Sequence, residues 1–209
     1  MSTLVLPSPK QVRDLLAGLL GRDTEVAPGH PVSLNDPACL AVYVDEHLAS
    51  TALWMVDVPL SAWCAGALAL LPKGGLEDAV EEGVLSDVHV EVLHEVVNVA
   101  ASLFNSPGAT HSRLHRLHPA GESVPADLAA LSASTNRLDL TVTVAGYGAG
   151  GPSTTVAGCP RPLLPATGDR SSGSSPTTPP PGRCGRGPAA AAPWTRRSPR
   201  RALRRALCR

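Results

Sequence analysis

In 209 residues, 18 Lys and Arg balance 18 Asp and Glu, yet the balance joins two unlike regions. Residues 1–157 carry 7 basic and 17 acidic side chains, a net −10, whereas residues 158–209 carry 11 Arg, no Lys and one acid, Asp169, a net +10. The acidic body is the size of one domain with one core and argues against binding to a phosphate backbone, and 3% aromatic residues leave no stacking platforms for single strands.

No apolar run spans a bilayer and no signal-type segment opens the chain, so a cytoplasmic protein without a membrane partner is expected. The five cysteines form no C-x-x-C pair, which indicates neither a zinc site nor a disulfide framework. Cys39 and Cys64 read as small buried hydrophobes.

Along the chain, Ser8-Pro9 is a helix start, and Val12, Leu15, Leu16, Leu19 and Leu20 recur at helical spacing until Gly21. A turn-rich segment through Pro37 leads to a hairpin of two β-prone runs, Cys39 to Val44 and Ser50 to Val56. Asp57 caps a second helix that runs to Leu71 and stops at Pro72, Gly74 and Gly75, and a short acidic helix, Leu76 to Glu82, ends at Gly83. Ser86 caps the longest helix, expected from Ser86 to Asn105. A strand (Ser112 to Leu117), a short helix (Ala126 to Ala133) and an alternating strand (Leu138 to Ala145) follow. Ser153 to Val156 is strand-like and cut short where the composition changes. Helices mixed with hairpin-type strands, without a β-α-β rhythm, indicate an α+β domain with a mainly antiparallel sheet packed against long helices.

The longest helix carries the chemistry. At 100° per residue, Asp87, Glu91, His94, Glu95, Asn98, Ser102 and Asn105 share one sector, and apolar side chains fill the rest. The plain reading of such a strip is the wet face of a core helix. Against that reading, the strip holds no Lys or Arg, and at its centre a carboxylate and a carboxamide stand one turn apart, Glu95 and Asn98, with Ala101 and Ser102 beside them. A surface of this kind lets another surface come close.

The run Glu91-Val92-Leu93-His94-Glu95-Val96-Val97-Asn98, followed by Ser102, resembles the signature helix of the CheC/CheX/FliY family of response-regulator phosphatases. The family pattern is an acidic residue or Ser, three residues, Glu, two residues, Asn, and usually a small residue four further on. The resemblance implies a chemotaxis-type hydrolase of two-component signalling, whose partner is the receiver domain of a response regulator. It implies that Asn98 orients the water that attacks the aspartyl phosphate and that Glu95 contacts a receiver lysine, with Glu91, His94 and Ser102 as binding neighbours. It implies no cofactor or metal of its own, since Mg and the acyl phosphate belong to the receiver. One motif copy makes the chain CheX-like, and a homodimer is compatible with the resemblance. Ser102 stands where glycine is usual, and His94-Glu95 replaces Gly-Glu. The alternative is a degenerate, non-catalytic interaction module that docks through the same acidic face.

Other constellations fit less well. His94-Glu95-Val96-Val97-Asn98 is one residue from H-E-x-x-H, but Asn98 removes a zinc ligand. Glu91-x-x-His94 is half of a di-iron motif without its second helix. His111, His115 and His118 read as solvated residues of an edge strand, and Gly146 to Gly151 as a chain turn.

Residues 158–209 are expected to be a disordered Pro/Arg-rich tail. Arg196, Arg197, Arg200, Arg201, Arg204 and Arg205 are the one place where nucleic acid could be attracted. The alternative, slightly favoured, is a frameshift near Val156 to Cys159, because Arg, Pro, Gly, Ala and Ser without Lys is what an out-of-frame reading of GC-rich DNA encodes.

Overall fold

A computed structural model describes residues 5–162 apart from 107 and 135, with backbone only for 158–162. The Arg-rich stretch and most of the expected tail lie outside the described residues.

The elements in chain order are α1 (Pro9–Leu20), β1 (Thr24–Pro28), β2 (Ala38–Val44), β3 (Ala49–Asp57), α2 (Val58–Leu68), α3 (Gly74–Glu82), α4 (Asp87–Ala100), a 3-10 turn (Ala101–Phe104), β4 (Arg113–His118), α5 (Ala126–Ser132), β5 (Arg137–Val144), β6 (Gly148–Gly150) and β7 (Pro152–Pro162). The strands form one sheet in the order β1-β5-β7-β3-β2-β4, with β6 also on β5, and every pairing is antiparallel. This is the expected α+β architecture.

Local signals explain the helix starts. Ser8 and Gln11 form a reciprocal capping box with Pro9 in the first turn, and Gly21 closes α1 in the left-handed region at φ 61°. Asp57 and Ser86 accept the Leu60 and His89 amides at the heads of α2 and α4.

The period of two along the central strands sorts their side chains into two cores. Cys39, Ala41 and Tyr43 of β2, with Ala52, Trp54 and Val56 of β3 and Leu140, Val142 and Val144 of β5, face the layer of α1, α2 and α4. Leu40, Val42, Val44, Leu53 and Met55 face the other way and meet Val32 and Leu128. Nine of the eleven residues of α2 are buried, which makes it the central helix. The Ala145–Gly151 segment lies over it: Tyr147 Oη donates to the Gly66 and Leu71 carbonyls at 3.1 and 2.8 Å, and Trp63 Nε1 donates to the Ala149 carbonyl at 3.3 Å.

The structure departs from the sequence expectations in several places. β1 was not expected, because Thr24 to Pro28 is short and ends in proline; it is held as an edge by β5. The longest helix is α-helical only to Ala100 and tightens to 3-10 geometry beyond it. Asn105, assigned to the helix strip, instead pins the start of β4: its Nδ2 donates to the Ser112 carbonyl at 3.0 Å and its Oδ1 accepts the Ser112 amide at 2.7 Å. β7 continues past Val156 to Pro162, but its register with β3 shifts on the way, from Ala52↔Val156 to Ser50↔Arg161. The shift falls where the composition changes.

His118 also differs from expectation. A register shift of β4 against β2 between Leu114 and Arg116 leaves His115 exposed, while His118 is buried at 5% exposure. Its Nδ1 is 3.5 Å from Glu122 Oε1 and without a hydrogen-bond partner. Burial pushes the His118 pKa below its ordinary 6.5, Glu122 partly opposes this, and Arg116 adds to it. The folded state therefore favours the neutral ring. The associated stability is present above pH 6.5 and is lost as pH falls below it, where the unfolded chain takes up the proton first. In urea unfolding at pH 7 and pH 5, wild type should lose more stability on acidification than His118→Gln; parallel losses would refute this.

Candidate functional site

The site grows out of the way α4 is held. Leu93, Val96, Val97 and Ala100 are buried against α2 and the sheet, so rotation of the helix would expose a core face. Glu91, His94, Glu95, Asn98 and Ser102 are all exposed on the opposite side. The four motif residues within the α-helix therefore share one surface, as their spacing requires, and Glu95 and Asn98 are neighbours one turn apart. Ser102 lies in the 3-10 turn, outside the α-helical register. Among the described residues none of these five side chains takes part in a hydrogen bond or ion pair. Their polar atoms are available to a partner.

Two features that sequence reasoning missed complete the surface. The first is an apolar edge: Val88 is 61% and Val99 43% exposed, and both lie on the flank beside Glu91 and Glu95, with Val92 half-buried between them. The helical period places Val92 and Val99 on the apolar part of the circumference, and the sequence carries no signal that this edge is left uncovered. The second is an open groove of about 510 Å3 between α4 and the end of β4, where Asp87, Glu91, His94 and Glu95 face Leu117 and Pro119. From Gly74 to Ser112 the sequence has seven carboxylates and no Lys or Arg, and among the described residues the one cation paired with them is Lys73, on Glu77 at the head of α3, so the carboxylates of α4 have no counter-charge of their own. A docking surface must be basic with an apolar margin to match it.

A second concavity, of about 480 Å3, lies at the head of α2 around Asp57, Pro37, Pro59 and Gly151. Asp57 Oδ1 accepts the Leu60 amide at 2.8 Å and Oδ2 the Gly151 amide at 2.6 Å. Burial pushes its pKa up while these two amides pull it down. Each of its oxygens is engaged by one of these amides, which ties the β6–β7 junction to α2, and it serves as a structural cap. Among the described residues no three His, Cys, Asp or Glu side chains come together as a metal site, and no helix is long and apolar enough to cross a membrane.

No family model and no curated protein matches the chain. Solved structures with a similar fold do exist. The FliM middle domain from H. pylori is 8% identical, with a TM-score of 0.47 over 71% of this chain and 84% of that one. FliY from Thermotoga maritima is 10% identical, with a TM-score of 0.44 over 73% and 85%. A CheX-CheY complex from Borrelia burgdorferi gives 9% identity and a TM-score of 0.42 over 68% and 90%. These are distant likenesses. They concern the path of the chain, and the roles of individual residues rest on the geometry of α4.

Proposed function

We propose that this domain engages the receiver domain of a two-component response regulator through the exposed face of α4 and promotes hydrolysis of its aspartyl phosphate. The observation that carries the reading is the joint exposure of Glu91, His94, Glu95 and Asn98 on a helix whose opposite face is fixed in the core. A rigid helix can place a reacting group in a partner's site with little loss of freedom on docking.

The chemistry asked of each side chain is modest. The Asn98 carboxamide accepts a hydrogen bond through Oδ1 and donates through Nδ2, so it can hold a water in line without taking its proton. The Glu95 carboxylate, one turn earlier, attracts an ammonium group on the partner and fixes how far the helix enters. Glu91 and His94 extend the contact along the groove, while Val88 and Val99 offer the apolar margin. The acyl phosphate and its Mg belong to the partner.

The reading is tested by following phosphoryl loss from isolated phosphorylated receiver domains of the host, with and without this protein. Accelerated loss from at least one receiver is expected, and no acceleration from any of them would remove the catalytic part. A second reading, docking without hydrolysis, is favoured by one observation: Ser102 leaves the helical register, so the motif ends at Asn98. Binding without acceleration is its signature.

A further inference from the structure

We propose that Tyr43, buried in the sheet, is the positioning residue for Asn98. This rests on the reading of Asn98 as the water-orienting group. Tyr43 has no exposed surface, and its Oη donates to the Val97 carbonyl at 2.7 Å. That carbonyl belongs to the peptide group joining Val97 to Asn98.

The bond falls where α4 changes geometry. In a continuing α-helix the Ala101 amide would donate to Val97. Here it turns to the Asn98 and Val99 carbonyls, and the chain enters the 3-10 turn. The tyrosine hydroxyl occupies the Val97 carbonyl that the Ala101 amide has left. Asn98 is thereby held at the seam between two helical forms, with a side chain of the sheet fixing the peptide on its N-terminal side.

The sheet is built to deliver this hydroxyl. The register of β2 shifts against β3 between Tyr43 and Val44, and against β4 between Val42 and Tyr43, so extra residues in both neighbouring strands bracket Tyr43. The small side chains of Ala41 and Ala52 share its face of the sheet. Phe104, at the end of the 3-10 turn, packs on the Tyr43 ring with centroids 4.8 Å apart. Both ends of the seam therefore close on one tyrosine.

Tyr43→Phe keeps the ring and removes only the hydroxyl. In this variant the Val97 carbonyl 13C resonance and the Asn98 backbone amide are expected to shift, and kcat for receiver dephosphorylation to fall about tenfold with KM within about twofold. Leu128→Ala, which opens the core on the other face of the sheet and leaves the hydroxyl and the Val97 carbonyl in place, should lower stability and leave kcat unchanged. Unchanged Val97 and Asn98 resonances in Tyr43→Phe would overturn the proposal whether or not the protein is a phosphatase. A wild-type kcat in Tyr43→Phe beside an inactive Asn98→Ala would overturn it while leaving the reading of Asn98 standing. If wild type itself fails to accelerate phosphoryl loss, the phosphatase reading falls, and the resonances alone decide whether Tyr43 sets the Asn98 backbone.

Discussion

Asn98→Ala is expected to reduce the acceleration of receiver dephosphorylation about 100-fold while leaving receiver affinity within a few-fold. Asn98 is exposed and has no partner among the described residues, so its truncation leaves no buried group unsatisfied and opens no cavity. Alanine also has the higher helix propensity, so the fold is not weakened. What disappears is the one amide on the exposed face of α4 able to donate and accept at once. In the proposed docking, binding is spread over Glu91, Glu95 and the valine edge, and affinity is expected to survive the change. Rates and affinities measured on the same preparations check this; a joint loss of both would make Asn98 a docking residue instead.

Gly150→Ala is expected to destabilise the fold by about 3 kcal/mol. A Cβ at Gly150 would lie 2.5 Å from the Leu60 amide nitrogen and 2.7 Å from Asp57 Oδ1. Neither atom can move cheaply. The nitrogen is backbone in the first turn of α2, and the Asp57 carboxylate is held by the Leu60 and Gly151 amides. The added methyl group thus separates β6 from α2 and breaks the cap of the central helix together. Gly18→Ala is the internal contrast. It adds the same methyl group in α1, where nothing lies within 4 Å, and should stabilise by about 0.5–1 kcal/mol. Urea unfolding of the two variants beside wild type should move in opposite directions, and a Gly150→Ala protein as stable as wild type would contradict the described packing of β6 on α2.

The parts of this fold that were legible in the sequence are those governed by local chemistry. Ser8, Asp57 and Ser86 mark helix starts because each side chain meets an amide three residues on, and Gly21 and Gly83 mark stops because they adopt positive φ. The exposed face of α4 was legible because its spacing follows the helical period. The strands β1 and β6 were not, since Thr24 to Pro28 and Gly148 to Gly150 have weak strand propensity and exist through pairing with β5. The glycines around Tyr147 read only as a turn; Gly148 and Gly150 are needed because Trp63 and the head of α2 press on them. Tyr43 carries no local signal at all. Its partner carbonyl is 54 residues away, and only the assembled sheet brings them together.

The most direct test of the central claim is to record backbone amide shifts of this domain while a phosphorylated receiver is added. Perturbations are expected to concentrate on Asp87 to Ser102, with Val88, Glu91, Glu95, Asn98 and Val99 among the largest and the β1 edge unmoved. Perturbations centred on the concavity beside Asp57 or on the β1 edge, with α4 silent, would contradict it.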